Sequence, residues 1–297
     1  MPPLVFPFPA RRRIAGALLG EATSVRRGES ADIAGSRAYV PGDDPRAIDW
    51  AGSARLTAAR GREQFLVREF HAEQTPLAAI VCDRSPWMSA APPPGTPFLS
   101  KPQTLARVAA LVADSALAAR SAFAFFEFRD DEPFFSPPGA RGARALLDQW
   151  TQAPGHGGAR SVDQLLHALV AERAQLPAGT LVFVLSDFRR PPSDAVWPVV
   201  LGATWELVPV VIQDPVWEQS FPPEAAGLVL DQDDGPVRIT ANDAVRLKRE
   251  HECRIGEIAA WSARRGFDAV IPRGYELPEL VATFRTWALE LGRRKAA

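Results

Sequence analysis

Two kinds of apolar pattern alternate along most of this chain. Leu77–Cys82, Phe123–Phe128, Thr180–Leu185 and Glu206–Ile212 are short, nearly unbroken apolar runs, and polar residues follow each of them. Runs of this length, bounded by turn residues, read as strands buried on both faces of a parallel sheet. Between them, Thr104–Arg120, Ala143–Gln152 and Val162–Ala174 carry apolar residues at helical spacing, and so do Asn242–Arg265 and Glu279–Arg293 further on. Asp130–Asp131 reads as a turn leading into Pro133–Phe135, and Asp268–Ile271 as a short strand between the last two helices. Leu228–Leu230 and Val237–Ile239, separated by Asp231–Pro236, predict a hairpin. Strands alternating with helices give an α/β protein: a doubly wound, mostly parallel sheet with helices on both faces.

The first 75 residues break this rhythm. Arg12–Leu19 has the pattern of a short helix and Gln64–Phe70 that of a strand, with Gly/Pro-punctuated sequence between them. The predicted organisation is residues 1–75 as an N-terminal segment, 76–220 as the α/β core and 221–297 as a hairpin and helices that complete it. Trp50, Phe65 and Phe70 need apolar neighbours, so the segment is expected to pack on the core. Arg11, Arg12, Arg13, Arg26 and Arg27 face only Glu21 and Glu29 in this region, which reads as a solvated arm. The net charge of -1 gives no basic surface for phosphates, so no nucleic-acid partner is expected. Cys82 and Cys253 are too few for a disulfide framework or a zinc site. The start MPPLVFPFPA lacks a secretory pattern, and no run reaches the roughly 18 apolar residues of a membrane span, so a cytoplasmic protein without membrane insertion is the expectation.

Candidate chemistry gathers where strands end. Open α/β sheets bind ligands beyond the carboxyl ends of their strands. Asp83 and Ser85 follow the first core strand, and Ser186 and Asp187 follow another. Two carboxylates and a hydroxyl there can hold a hard divalent cation. The same residues equally serve as turn caps, with Asp83 and Ser85 bonded to backbone, and spacing leaves both readings open. No histidine is tied to a nucleophile elbow, and no phosphate-binding loop is present, so neither acyl-transfer catalysis nor ATP binding is expected of this chain. Asp43, Asp44, Arg46, Asp49 and Arg55 alternate in sign around Trp50. They form either an internal ion-pair lattice or a docking surface, since Trp and Arg are enriched at binding hot spots.

The run Tyr39-Val-Pro-Gly-Asp43-Asp44-Pro-Arg46-Ala-Ile-Asp49-Trp50, followed by Ser53-Ala-Arg55 and then Val67-Arg-Glu-Phe70, resembles the signature of the DUF58 family. The resemblance is strong from Ser36 to about Ser89. It implies a von Willebrand A-like, Rossmann-like domain with a metal-ion-dependent adhesion site of the pattern Asp-x-Ser-x-Ser, then Thr, then Asp. Asp83 and Ser85 match the first two positions, Asp187 suits the last, and Ser161 or Asp163 is nearest to the Thr position. Trp87 stands where the second Ser belongs, and it cannot ligate Mg²⁺ or Mn²⁺. The implied function is a non-enzymatic adaptor. Its implied partners are a MoxR-type AAA+ ATPase and a client protein in chaperone-like assembly. Trp87, Asp43, Asp44, Arg46, Asp49 and Trp50 are the candidate contact residues. The competing reading is a metal-dependent hydrolase on the same carboxylates.

Overall fold

The computed structural model describes residues 4–8, 33–40, 48–62, 64–70, 76–89, 99–129, 132–139, 143–152, 161–189, 192–214, 218, 229–232, 235–238 and 240–296. The chain divides into two compact units, Ala10–Thr75 and Met1–Pro9 with Pro76–Ala297.

In the smaller unit β1 (Ile33–Ala38) pairs antiparallel with β2 (Leu66–Phe70), with Arg37 opposite Val67. Between them lies α1 (Trp50–Arg60), a helix that the apolar pattern does not reveal. Its signals are at its ends. Asp49 caps the N-terminus through a bond from the Gly52 N–H at 3.1 Å, and Gly61 closes the C-terminus at φ 65°. A Cβ at position 52 would lie 2.7 Å from the Asp49 Oδ2, so a larger residue there would make the capping carboxylate shift. Ser53 Oγ donates to the Asp49 carbonyl at 2.7 Å and accepts from the Leu66 N–H at 2.8 Å, joining the helix to β2.

The larger unit is built on a five-stranded sheet of order β5-β4-β3-β6-β7. Its strands are β3 (Ala78–Cys82), β4 (Phe123–Arg129), β5 (Glu132–Ser136), β6 (Leu181–Ser186) and β7 (Glu206–Val211). All neighbours are parallel except β4 and β5. This is the mostly parallel, doubly wound arrangement expected from the alternating runs. The Asp268–Ile271 segment contributes a single parallel bridge, Val210 to Val270, rather than a strand. The predicted hairpin forms as β8 (Val229–Gln232) and β9 (Gly235–Arg238).

Alternate residues of each strand face opposite layers, as the period of two requires. Ile80, Cys82, Phe125, Phe183, Val208 and Val210 pack against α2 (Lys101–Ala118), α3 (Ala143–Gln152) and α7 (Leu277–Ala296). Ala79, Val81, Phe126, Val182, Val184 and Val211 pack against α4 (Val162–Ala171), α5 (Trp197–Gly202) and α6 (Ala241–Arg264). The six-residue α5 was not legible in the apolar pattern. Among the described residues no helix is long and apolar enough to cross a membrane.

The β3–α2–β4 crossover turns the chain back at the carboxyl edge of the sheet, so α2 starts there. It starts three residues earlier than its apolar spacing suggests, because Ser100 and Gln103 form a capping box ahead of it. Lys101 is thereby its first residue.

The first residues of the chain belong to this unit. Phe6 is fully buried, with its ring centroid 4.8 Å from that of Phe284 and 6.1 Å from that of Trp287, and its N–H donates to Ser115 Oγ at 3.1 Å. Phe6→Ala should therefore cost about 3 kcal/mol of stability in denaturant unfolding, as large-to-small changes in packed cores do. A loss below about 0.5 kcal/mol, typical of surface sites, would mean that Phe6 is not seated there.

Candidate functional site

Asp83 directly follows β3 at the carboxyl edge. Each of its carboxylate oxygens has a protein donor: Oδ1 accepts from the Ser85 N–H at 2.8 Å and Oδ2 from Ser186 Oγ at 2.6 Å. Burial raises its pKa above the usual carboxylate value and the charge of Asp187 adds to this, while the bonds from Ser186 and Ser85 act the other way. The Ser85 carbonyl accepts from the Met88 N–H at 2.9 Å, closing the 3-10 turn Pro86–Ser89. Trp87 lies in that turn, and its side chain is outside the described set.

Asp187 follows β6 directly. Its Oδ1 accepts from the Arg189 N–H at 3.2 Å, and its Oδ2 receives the Lys101 ammonium at 2.8 Å. Lys101 is only 3% exposed and also lies 3.1 Å from a Glu218 carboxylate oxygen. Glu218 accepts from the Asp214 N–H at 2.8 Å and pairs with Arg254 of α6 at 3.0 Å. Burial alone would raise the Glu218 pKa. Lys101 and Arg254 outweigh it and hold the carboxyl at about 2.

The network continues through Arg254, which donates to His251 Nδ1 at 2.8 Å. The other ring nitrogen, Nε2, lies 2.6 Å from Gln213 Oε1. With Nδ1 accepting, Nε2 carries the proton and the imidazole is neutral. Burial and the Arg254 charge lower its pKa to about 4. Gln213 in turn donates to the Pro272 carbonyl at 3.1 Å. The chain Asp187–Lys101–Glu218–Arg254–His251–Gln213 thus joins α2, α6 and the segments after β6 and β7.

A second buried cluster lies beside the first. Glu127, fully buried in β4, pairs with Arg84 and Arg129 and accepts from Trp150 Nε1 at 2.7 Å. Arg84 also sits 5.6 Å from the Trp150 ring centroid.

The structure brings Asp83, Ser85, Ser186 and Asp187 to one edge. Ser161 bonds within its own helix: it caps α4, with Oγ accepting from the Gln164 N–H at 3.3 Å. Asp163 accepts from the Ser193 N–H at 2.9 Å. Asp49 and Trp50 belong to the smaller unit, whereas Asp43, Asp44 and Arg46 lie outside the described residues. Sequence reading missed Lys101, Glu127, Glu218 and Arg254.

The arrangement does not fit a divalent ion on Asp83, Ser85, Asp187 and Ser161. Both Asp83 oxygens hold protein donors, Asp187 holds an ammonium and an amide, and Ser161 is committed to its helix. Among the described residues no group of three or more His, Cys, Asp and Glu side chains could hold a metal. Both core carboxylates act here as acceptors that fix loops.

A mostly parallel α/β sheet with its charged groups gathered at the carboxyl edge defines the class of this protein. The family comparison is more specific: the profile described as "Protein of unknown function DUF58" matches residues 35–255, and the chain belongs to that family. Among curated proteins none matches the sequence. Solved structures with a similar course of chain include an aerotolerance-related membrane protein from Bacteroides fragilis NCTC 9343 carrying multiple mutations to serine. It is 12% identical with a TM-score of 0.44, over 72% of this chain and 99% of that one. The PilB minor pilin from Streptococcus sanguinis is 11% identical with a TM-score of 0.41, over 79% and 66%. A von Willebrand factor type A protein from Catenulispora acidiphila is 10% identical with a TM-score of 0.38, over 76% and 44%.

His251 makes the stability of this edge sensitive to pH. The unfolded chain takes up a proton near pH 6.5, whereas the folded chain resists it until about 4. His251 therefore costs no stability above pH 6.5, and stability falls as pH drops from 6.5 towards 4. Urea unfolding at pH 7, 5.5 and 4 should show a steeper loss for the native chain than for His251→Gln. Parallel curves would show that the folded chain protonates His251 as readily as the unfolded one.

Proposed function

We propose that this chain is a non-enzymatic protein-interaction adaptor that works with a MoxR-type AAA+ ATPase in the assembly or maturation of a client protein. The observation that carries the adaptor reading is an exposed aromatic pair in the smaller unit. Trp50 is 63% exposed and Phe65 39%, with their rings edge-to-face at 5.9 Å. A large apolar pair left in water, on a helix whose N-terminal turn is fixed by the Asp49 cap, has the character of a binding hot spot. The family resemblance supplies the nature of the partner, and the match to DUF58 supports the resemblance.

The carboxyl edge of the sheet supplies the second contact surface in this reading. Its loops are pinned by the Asp83 and Asp187 bonds, and a fixed surface loses little freedom on binding. The Lys101 ammonium on Asp187 speaks against a hydrolase on these carboxylates, because an activating ion there would meet a cation already in place.

The test is capture of partners from the native lysate by the tagged full-length chain, with bound proteins identified by mass. An AAA+ ATPase should be recovered with the native chain and reduced at least about tenfold with Trp50→Ala, the loss expected of a hot-spot residue worth more than 1.4 kcal/mol. The thermal transition should stay within about 2 °C, because the side chain is exposed. Failure to recover an ATPase with the native chain, or equal recovery with both, would contradict the proposal.

A further inference from the structure

The buried lysine at the sheet edge carries a conclusion about the chemistry of this site that does not depend on which partner binds. Lys101 is the first residue of α2, where the helix dipole disfavours a cation. It is also almost wholly out of water, where an ammonium persists only if it is paired. Both penalties are met by two carboxylates from different parts of the chain: Asp187 at 2.8 Å, directly after β6, and Glu218 at 3.1 Å, beyond β7. Arg254 pairs with Glu218 at 3.0 Å. The two anions and two cations balance, and the Asp187 and Asp214 segments supply further backbone bonds.

We propose that Lys101 is the resident cation of this edge, with its ammonium taking the place of the divalent ion expected on Asp187, so that the site is closed to metal. The helix delivers the charge covalently, and no ion has to be captured from solution. A divalent ion added at Asp187 would lie within a few ångströms of an ammonium that is itself held in place. It would also bring two positive charges beside two cations that already offset Asp187 and Glu218. Removing the ammonium reverses the situation: Asp187 loses its lysine partner, and among the described residues Glu218 keeps Arg254. That leaves an oxygen-rich site with excess negative charge, suited to a hard cation.

The experiment is titration of Mn²⁺ into the full chain, followed by the loss of the free-ion paramagnetic resonance signal. The native chain should show no binding that depends on Asp187, so that native and Asp187→Ala chains titrate alike. Lys101→Ala should bind Mn²⁺ at least about tenfold more tightly than the native chain, roughly a 1.4 kcal/mol gain. Lys101→Ala combined with Asp187→Ala should lose that gain. Should Lys101→Ala fail to fold, Lys101→Met removes the charge while keeping an unbranched apolar chain of similar length. Mn²⁺ bound by the native chain and lost in Asp187→Ala would overturn the proposal. A folded charge-removed variant with no gain in Mn²⁺ affinity would overturn it as well.

Discussion

The ammonium of Lys101, held between Asp187 and Glu218, is the interaction on which the carboxyl edge of this sheet depends. An ion this deeply buried cannot be left unpaired, and breaking a buried pair by removing one partner costs about 3–5 kcal/mol. Each participant therefore fixes the others. Lys101 ties the start of α2 to the loop after β6. Glu218 ties that same lysine to Arg254 on α6. Through His251 and Gln213 the chain of bonds reaches the Pro272 carbonyl. The hydrophobic layers on both sides of the sheet settle the architecture, and this polar chain settles the geometry of the edge where such folds bind ligands.

Asp83 and Glu127 extend the same constraint across the sheet. Asp83 holds Ser85 and Ser186, and Glu127 holds Arg84, Arg129 and Trp150. Arg84 adjoins Asp83 in sequence, so one short turn is fixed from both clusters. The edge is thus preorganised by internal charge pairing, and its carboxylates are acceptors in a scaffold. Together with the exposed Trp50–Phe65 pair of the smaller unit, it supports the adaptor reading.

The central strands were legible because burial on both faces leaves an unbroken apolar run, and β3, β4, β6 and β7 differ from the predicted runs by at most one residue at either end. Elements whose signal lies in their caps were harder to read. α1 has few apolar residues at helical spacing, and only Asp49 before it and Gly61 after it mark its limits. The charged network was hidden for a different reason. Its partners are far apart in the chain, as with Lys101 and Asp187 or Glu127 and Arg84, and pairing across such distances leaves no local period. Two traces were nevertheless present: a lone Glu inside the aromatic run Phe123–Phe128, and a Lys ahead of a helix, where a cation is disfavoured. The adhesion-site pattern drew attention to Asp83 and Asp187, but it said nothing of the lysine that reaches Asp187 from the start of α2.

The central claim is that this edge is held and presented without a divalent ion. The most direct test is capture of the proposed AAA+ partner by the native chain in parallel lysates, one with Mg²⁺ added directly to the bait and one with the bait treated with chelator and washed before use. The account predicts equal recovery in the two. Recovery that appears only with Mg²⁺ would contradict it, because a metal at the edge would then be a requirement for binding.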